Sequence, residues 1–187
     1  MKIFFNGSSF AFGSYPDHLA KLLNTEDYTN ISRPGYSNRS ILRTTLEENL
    51  KNYDLAVIQL TSPSRTEFYR ENKWIEISAQ LSHARLTEND KEFWKCYYEN
   101  IYQDKMGDVD EDIIITGIRD HFIVANIPCV VVTSEKYTRS KKFDINLWDI
   151  NFPLDKTRHP TNIGHRMIAK NILKIIETKY PNLKLKQ

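Results

Sequence analysis

The chain has 187 residues, of which 40% are hydrophobic and 27% charged, and its formal net charge is +2. This composition predicts a single domain over residues 1–187 and excludes a largely disordered chain. The small, dispersed charge argues against a nucleic-acid partner, and the lack of a long apolar stretch or a secretory signal predicts a cytoplasmic protein without a membrane partner.

Short apolar runs alternate with segments of helical period. KIFF predicts a strand at residues 2–5, and the segment after it predicts a helix with Pro16 in the first turn. YTNIS predicts a second strand, RPGYSN a loop and residues 39–50 a helix. YDLAVIQL and IPCVVVTS lack polar alternation, which is typical of parallel strands covered on both faces. The pattern predicts an α/β fold with a mostly parallel central sheet.

The region between those two long strands is less regular. FWKCYYENIY and IIITGIRDHFIVAN predict helices, but the stretch from Glu67 to Thr87 has no clean period. We therefore expect an irregular or lid-like insertion over one edge of the sheet, within about residues 63–112. From Asn182 onward we expect a frayed tail. A closing helix is predicted to bury one apolar face, formed by Ile163, Met167, Ile168, Ile172, Ile175 and Ile176.

The spacing of the cysteines and histidines argues against two classes of site. Cys96 and Cys129 form no CxxC pattern, so we expect two buried free thiols. The aspartates and histidines show no recognisable metal-ligand spacing, which disfavours a metal hydrolase or phosphodiesterase. We expect no metal and no cofactor.

Polar loops follow the predicted strands. In open α/β sheets, ligands bind beyond the carboxyl ends of the strands. GSSFAFG follows the first strand, RPGYSN the second and QLTSPSRTE the third, while DKTRHPTNIGH precedes the last helix. These loops are therefore expected to converge on one sheet edge.

The four loops together resemble the motif blocks of the SGNH (GDSL-type) hydrolase superfamily, over nearly the whole chain. GSSFAFG is similar to the Gly-Asp-Ser block, with Ser8 in place of the aspartate and Ser9 in the nucleophile's position. Gly35 fits the second block, whose glycine amide points at the oxyanion. The third block is normally Gly-x-Asn-Asp, whereas this chain has Gln59-Leu60-Thr61-Ser62.

The last block keeps its histidine, proline and Gly-His pair. His159 matches well, while Asp155 lies one residue further away than the family's Asp-x-x-His spacing. The resemblance implies a three-layer α/β/α, flavodoxin-like fold and a serine esterase in which Ser9 attacks, His159 is the base and Asp155 orients it.

An oxyanion needs preorganised donors. The Ser9 and Gly35 amides would supply two, and Thr61, Ser62 or Asn38 would replace the missing asparagine, with Thr61 favoured. Arg65 would either form an ion pair with Glu67 or bind an anionic substrate group.

Each of these residues also has a purely structural interpretation. Ser9 would be a turn or cap residue, Gly35 a turn glycine with positive φ, and His159 an exposed loop residue. His165, on the final helix, is assigned to packing.

The leading hypothesis is an esterase acting on a small or carbohydrate ester, because the resemblance includes many carbohydrate esterases. An acyltransferase is a close variant. The alternative is a ligand-binding or structural module that has lost catalysis, which the absent Gly-x-Asn-Asp block supports.

Overall fold

The computed structural model describes residues 1–81, 86–136 and 140–183. Its strands, in chain order, are β1 (Ile3–Gly7), β2 (Tyr28–Asn30), β3 (Leu55–Leu60), β4 (Thr66–Arg70), β5 (Lys73–Ile77), β6 (Cys129–Thr133) and β7 (Ile145–Asn146). Its α-helices are α1 (Ser9–Phe12), α2 (Tyr15–Leu22), α3 (Asn38–Leu46), α4 (Glu88–Asn100), α5 (Asp104–Val124) and α6 (Asn162–Lys179). Short 3₁₀ helices cover Leu50–Asn52 and Leu147–Ile150.

Five of the described strands form a parallel sheet in the order β2-β1-β3-β6-β7. Every residue of β1, β3 and β6 is buried, which explains why these strands are largely apolar and show no polar alternation. The predicted strands in KIFF, YTNIS, YDLAVIQL and IPCVVVTS are all present. The predicted α/β fold, with three layers and a mostly parallel central sheet, is confirmed.

Each face of the sheet has its own apolar core, because successive strand residues point to opposite faces. Ile3 of β1 packs in a cluster with Leu19 of α2 and Ile172 of α6. Phe4, the next residue, packs in the other cluster with Ile118 of α5. Since all five strands are parallel, the loops that leave their carboxyl ends share one edge of the sheet.

Two helices differ from their predicted extent or face. The helix predicted over residues 39–50 ends at Leu46, and the chain then turns into the 3₁₀ helix Leu50–Asn52. Ile163 was predicted on the buried face of the last helix, but it is 64% exposed. The buried stripe instead includes Gly164 and Ile168, and Ile163 is rotated away from Gly164 by about 100°.

The stretch from Glu67 to Thr87, predicted as irregular, begins with a regular hairpin of β4 and β5. Glu71 and Asn72 connect the two strands with φ values of 51° and 60°, as a tight two-residue hairpin turn requires. Residues 82–85 of the stretch lie outside the described residues.

The remainder of the predicted insertion over residues 63–112 is largely helical. It contains all of α4, which begins with a capping box between Thr87 and Asp90, and the first turns of α5. Apolar contacts join the hairpin to α4 through Phe68 and Trp94, whose ring centroids are 5.9 Å apart. The irregularity predicted from Glu67 is therefore wrong for the hairpin, which packs a small core with α4, while the predicted lid-like role stays a prediction.

Both cysteines are free thiols, but they differ in exposure. Cys129 at the start of β6 is buried, and that burial raises the pKa of its thiol. Cys96 on α4 is exposed, which corrects the expectation that both would be buried. Within the described ranges, no helix has the length and apolar character needed to span a bilayer. Of the predicted frayed tail, residues 184–187 lie outside these ranges.

Candidate active site

Ser9 is the first residue of α1, just beyond the carboxyl end of β1. Its side chain is partly exposed, whereas Ser8 is 1% exposed. Gly7 allows this close turn, because a Cβ atom there would lie 2.8 Å from the Ala11 Cβ and from the Gln59 carbonyl oxygen. Among the described residues, the Ser9 hydroxyl has no hydrogen-bond partner. The accessible serine of the pair is therefore Ser9.

The loop before α6 carries His159 to the same edge of the sheet. Its half-buried imidazole packs against the ring of Phe10, the residue after Ser9, with 5.6 Å between centroids. Phe10 also contacts the rings of Trp148 and Phe152. No hydrogen bond joins Ser9 to His159 in the described part of the chain. The structure thus brings these two residues onto adjacent loops without linking them directly.

Asp155 does not contact the imidazole of His159. Its Oδ1 accepts hydrogen bonds from the Thr157 amide at 2.7 Å, the Thr157 hydroxyl at 2.6 Å and the His159 amide at 3.1 Å. These bonds hold the pKa of the Asp155 carboxyl below its ordinary value, and the bond from the Thr157 hydroxyl has the largest effect. Asp155 therefore organises the loop backbone, and Thr157 lies between its carboxylate and the ring.

The contacts of Thr157 determine the tautomer of His159. The ring Nδ1 lies 3.1 Å from the Thr157 carbonyl oxygen and 3.0 Å from the Thr157 hydroxyl oxygen. A carbonyl only accepts, and the hydroxyl proton is engaged by Asp155. Nδ1 must therefore carry the proton in the neutral ring, which leaves Nε2 as the basic nitrogen.

The extra residue between Asp155 and His159 is absorbed in a tight turn. The Arg158 amide donates to the Asp155 carbonyl at 3.1 Å, and the Asp155 amide donates to the His159 carbonyl at 2.8 Å. Arg158 occupies the left-handed region at φ 62°, which is uncommon for a residue other than glycine. The longer spacing thus costs some backbone strain but keeps His159 at the site.

Gly35 lies in an exposed turn after β2. Its φ is 88°, and the Tyr36 amide donates to the Arg33 carbonyl at 3.3 Å, a pattern typical of a type II turn with Pro34 at its second position. The Arg33 amide donates to the Gly7 carbonyl at 3.1 Å, so this loop is tied to the end of β1. Among the described residues, the Gly35 amide has no protein acceptor.

Asn38 and Thr61 form a buried clip between the loops after β2 and β3. The Thr61 amide donates to Asn38 Oδ1 at 2.8 Å, and Asn38 Nδ2 donates to the Thr61 carbonyl at 3.1 Å. Asn38 is buried, and its carboxamide is committed to this clip. The Thr61 hydroxyl, in contrast, has no partner within the described ranges.

The other two residues predicted after β3 have separate environments. The Ser62 hydroxyl lies 3.0 Å from the hydroxyl of Ser64. Arg65 does not pair with Glu67, whose carboxylate binds Arg43 instead at 2.8 Å. The predicted ion pair is therefore wrong, because Arg43 of α3 reaches this buried carboxylate. In the described part of the chain, the half-buried Arg65 guanidinium has no protein partner.

A buried polar cluster that the sequence analysis missed joins the hairpin to α3. Glu67 and Glu76 face each other across β4 and β5, and the single hydroxyl of Ser40 contacts both carboxylates. Arg43 donates two hydrogen bonds to Glu67, and the Ser37 amide donates one to Glu76 at 3.0 Å. Burial raises the pKa of Glu76, and the Glu67 charge adds to the shift.

His165 has a packing environment, as predicted. It is 8% exposed and stacks against Tyr15 of α2, with ring centroids 6.5 Å apart. Burial lowers its pKa, and its Nδ1 has no partner among the described residues. A Cβ on Gly13 would lie 2.7 Å from the His165 Nε2 and closer still to Cε1, so the chain after α1 meets α6 closely here.

A separate concavity lies at the opposite edge of the sheet, at the amino end of β6. Its volume is about 350 Å³, and its lining includes Phe122, Cys129 and Tyr180. It contains none of the candidate catalytic residues. In the described ranges, no three histidine, cysteine or acidic side chains form a cluster that could hold a metal ion.

Comparison with known proteins shows likeness in structure only. No protein-family model and no curated protein sequence matches the chain. A protein of the lipolytic G-D-S-L family from Desulfitobacterium hafniense DCB-2 superposes with a TM-score of 0.56 at 8% identity, over 93% of this chain and 98% of that one.

Two further structures give similar agreement. The psychrotrophic esterase EstA from Pseudoalteromonas sp., in a structure inhibited by monoethylphosphonate, has a TM-score of 0.52 at 15% identity, over 97% and 99% of the two chains. A GDSL-like lipase from Bacteroides thetaiotaomicron has a TM-score of 0.51 at 14% identity, over 95% and 88%. The chain therefore has the fold of the SGNH (GDSL-type) hydrolases.

Proposed function

We propose that the chain is a serine esterase acting on a small acyl ester. The observation that carries the proposal is the placement of His159 against Phe10, next to Ser9, with Nδ1 bound to Thr157 and Nε2 left basic. A partly exposed serine and a histidine that packs against the residue next to that serine would supply the two groups that nucleophilic acyl transfer requires. The fold shared with GDSL-like lipases and an esterase supports the same reaction class.

The reaction would proceed in two halves. The Ser9 Oγ attacks the ester carbonyl while His159 Nε2 takes the hydroxyl proton, and His159 then gives that proton to the departing alcohol as the ester C–O bond breaks. A water molecule, deprotonated by His159 Nε2, next attacks the acyl carbonyl. His159 then returns that proton to Ser9 Oγ as the acyl C–Oγ bond breaks, which releases the carboxylic acid and restores Ser9.

Three groups would stabilise the oxyanion. The amides of Ser9 and Gly35 and the hydroxyl of Thr61 make no other hydrogen bond within the described residues. The Asn38 carboxamide is engaged by the Thr61 backbone, which favours Thr61 over Asn38 as the side-chain donor. One such donor is typically worth ~10²–10³ in kcat.

For the substrate, we propose an ester of a small acyl group, with O-acylated sugars as the first class to test. Trp148, which is partly exposed and contacts the buried rings of Phe10 and Phe152, would offer an apolar surface suited to an acyl chain or a sugar face. The Arg65 guanidinium, which has no protein partner in the described ranges, could receive an anionic substituent of the alcohol. Transfer of the acyl group to another alcohol would use the same acyl-enzyme.

A binding module without turnover is the second candidate. Two observations favour it: the third block has Thr61 where an asparagine would stand, and no Ser9–His159 hydrogen bond is formed among the described residues. A fluorophosphonate probe separates the two functions, because it reacts only with an activated serine.

The test combines fluorophosphonate labelling with p-nitrophenyl acetate hydrolysis by the wild type, Ser9→Ala and His159→Ala. Ser14→Ala is a matched control, since Ser14 is also partly exposed at a helix start and its side chain makes no capping bond. The esterase requires loss of labelling and hydrolysis in Ser9→Ala and His159→Ala but not in Ser14→Ala. Equal rates for the wild type and Ser9→Ala, with acetylated sugars also untouched, would leave the binding module as the better account.

A further inference from the structure

Gln59 is a polar residue inside the apolar strand β3, and it is fully buried. Burying a carboxamide is unfavourable unless its donors and acceptor are hydrogen-bonded. Its surroundings therefore indicate what its side chain does.

The two ends of the Gln59 carboxamide have different partners. Oε1 accepts from the amides of Ala11 at 3.1 Å and Ser8 at 3.3 Å. Nε2 donates to the Ser134 hydroxyl at 2.7 Å and to the Leu60 carbonyl. Two amide donors on one side and two oxygen acceptors on the other leave a single orientation of the carboxamide that satisfies all four contacts.

The acceptor end caps the helix that carries Ser9. The first amides of a helix lack internal partners, and a side-chain oxygen at the N-cap usually accepts one of them. Ser8 is the N-cap of α1, but its side chain makes no capping bond. Gln59 supplies that oxygen from the neighbouring strand, and it binds the amides on both sides of Ser9, those of Ser8 and Ala11.

Gln59 and Ser8 are also two of the positions where the chain departs from the first and third motif blocks, and Thr61 and Ser62 are the others in the third block. Ser8 stands in place of an aspartate and Gln59 in place of a glycine. The Ser8 hydroxyl lies 3.3 Å from Gln59 Nε2 and 3.4 Å from Oε1, so the two departures are in contact. A larger side chain on β3 fills the space beside a smaller one at the start of α1.

We propose that Ser8 and Gln59 are one coupled replacement, and that Gln59 is a positioning residue which holds Ser9 in its reactive orientation. This inference rests on the proposed esterase function. Gln59 acts through the backbone of α1 and does not touch the substrate. Displacement of a reacting group by about 1 Å can cost ~10²-fold in rate, so loss of this cap is expected to slow the chemical step.

The experiment measures the rate of fluorophosphonate labelling at Ser9, kcat and KM for p-nitrophenyl acetate, and thermal unfolding. Gln59→Met keeps the length of the side chain but removes the carboxamide, and it should lower labelling and kcat about 10–100-fold with KM within about twofold. Gln59→Glu keeps an acceptor for the Ser8 and Ala11 amides but places an oxygen where Nε2 donates to Ser134 and Leu60, so it should recover part of the lost rate, to within about 10-fold of the wild type.

A double variant tests the coupling. Ser8→Asp alone crowds the buried carboxamide, and Gln59→Gly alone leaves two amides without an acceptor, so each should be about 10-fold slower or worse. The pair Ser8→Asp/Gln59→Gly should return to within about threefold of the wild type. A double variant as slow as the product of the singles overturns the coupling.

The outcomes separate this inference from the proposed function. If wild-type Ser9 is not labelled, the esterase proposal fails and the positioning role fails with it. If Ser9 is labelled normally in a folded Gln59→Met variant, the esterase stands and the positioning role is wrong. Should Gln59→Met not fold, Gln59→Glu decides the matter: labelling within about 10-fold of the wild-type rate supports the role, and labelling more than about 10-fold slower in the folded variant overturns it.

Discussion

The Nδ1 atom of His159 lies 3.1 Å from the carbonyl oxygen of Thr157. The ring is therefore oriented by the backbone of its own loop, while the neighbouring carboxylate of Asp155 binds the Thr157 hydroxyl and two amides. Thr157 therefore lies in space between the Asp155 carboxylate and the His159 imidazole, and it contacts both.

This separation predicts a mild effect of Asp155→Asn. In a triad whose aspartate bonds the histidine directly, the same change costs ~10⁴ in kcat because the wrong tautomer forms. Here the substituted carboxamide would keep an oxygen acceptor and the Thr157 carbonyl would still hold Nδ1, so kcat should fall less than about 10-fold. Steady-state hydrolysis of p-nitrophenyl acetate measures it, with unfolding curves for each variant.

Asp155→Ala is the informative contrast. It removes all three bonds that the carboxylate accepts and should release the strained turn at Arg158, so both kcat and the melting temperature should fall further than in Asp155→Asn. A loss near ~10⁴ in Asp155→Asn, equal to that of His159→Ala, would contradict the backbone role of Thr157.

Glu76 predicts a pH-dependent stability. Burial raises its folded pKa above the ordinary value of 4.5, the Glu67 carboxylate adds to this, and bonds from Ser40 and Ser37 oppose it. A raised folded pKa means that the folded state binds the proton more tightly, so stability falls as pH rises through the window above 4.5. Glu76→Gln should therefore raise the melting temperature by about 2–4 °C at pH 8, the shift that ~1 kcal/mol brings at this size.

The difference between Glu76→Gln and the wild type should shrink towards about pH 4, where the wild-type carboxyl is protonated. Thermal unfolding across this range measures it. Glu67→Gln is the control, because it weakens the paired contact with Arg43 and should lower the melting temperature at the higher pH. Were Glu76→Gln less stable than the wild type there, the buried carboxylate pair would be stabilising as ionised groups.

Gly13 predicts a steric limit between the end of α1 and α6. In Gly13→Ala the new methyl group would lie 2.7 Å from His165 Nε2 and closer still to Cε1, so the ring must move. Overpacking of this kind costs about 1–3 kcal/mol of unfolding free energy. Urea unfolding measures this cost. In a His165→Ala background, where the ring is absent, the same Gly13→Ala change should cost less unfolding free energy than it does in the wild type.

Gly117→Ala provides the matched control. Gly117 lies inside α5, where the nearest atom to a new Cβ is Leu42 Cδ1 at 3.7 Å. Alanine should there stabilise the helix by about 0.5–1 kcal/mol. Equal and small effects of the two substitutions would show that His165 yields freely.

Substitution of Asn38 is expected to lower stability, whereas substitution of Thr61 is expected to lower kcat. Asn38→Ala removes both bonds of the clip and leaves buried backbone groups unpaired, so unfolding free energy should fall by about 1–3 kcal/mol. Thr61→Val removes only a hydroxyl without a partner in the described residues and should lower kcat by ~10²–10³ with little change in stability. Thr61→Ser should retain activity. Unchanged kcat in Thr61→Val would exclude that hydroxyl from the oxyanion site.

The sequence by itself determined the layers of this protein and the loops that carry its candidate residues. The largely apolar strands β1, β3 and β6 are recognisable from the local sequence, because a strand buried on both faces shows no polar alternation. The order of the loops then placed Ser9, Gly35 and His159 at strand ends or before the last helix. That much required only periodicity and motif order.

Only the tertiary structure decided which polar groups meet. The hairpin β4–β5 was not recognised because Glu67 and Glu76 face inward, and their burial is compensated by Ser40 and Arg43 far away in the chain. The cap that Gln59 provides for α1 also depends on contacts between distant segments. The position of Thr157 between the Asp155 carboxylate and the His159 ring likewise depends on the conformation of the loop. Whether a hydrogen bond forms depends on differences of a few tenths of an ångström in the donor–acceptor distance, and periodicity along the chain does not encode such differences.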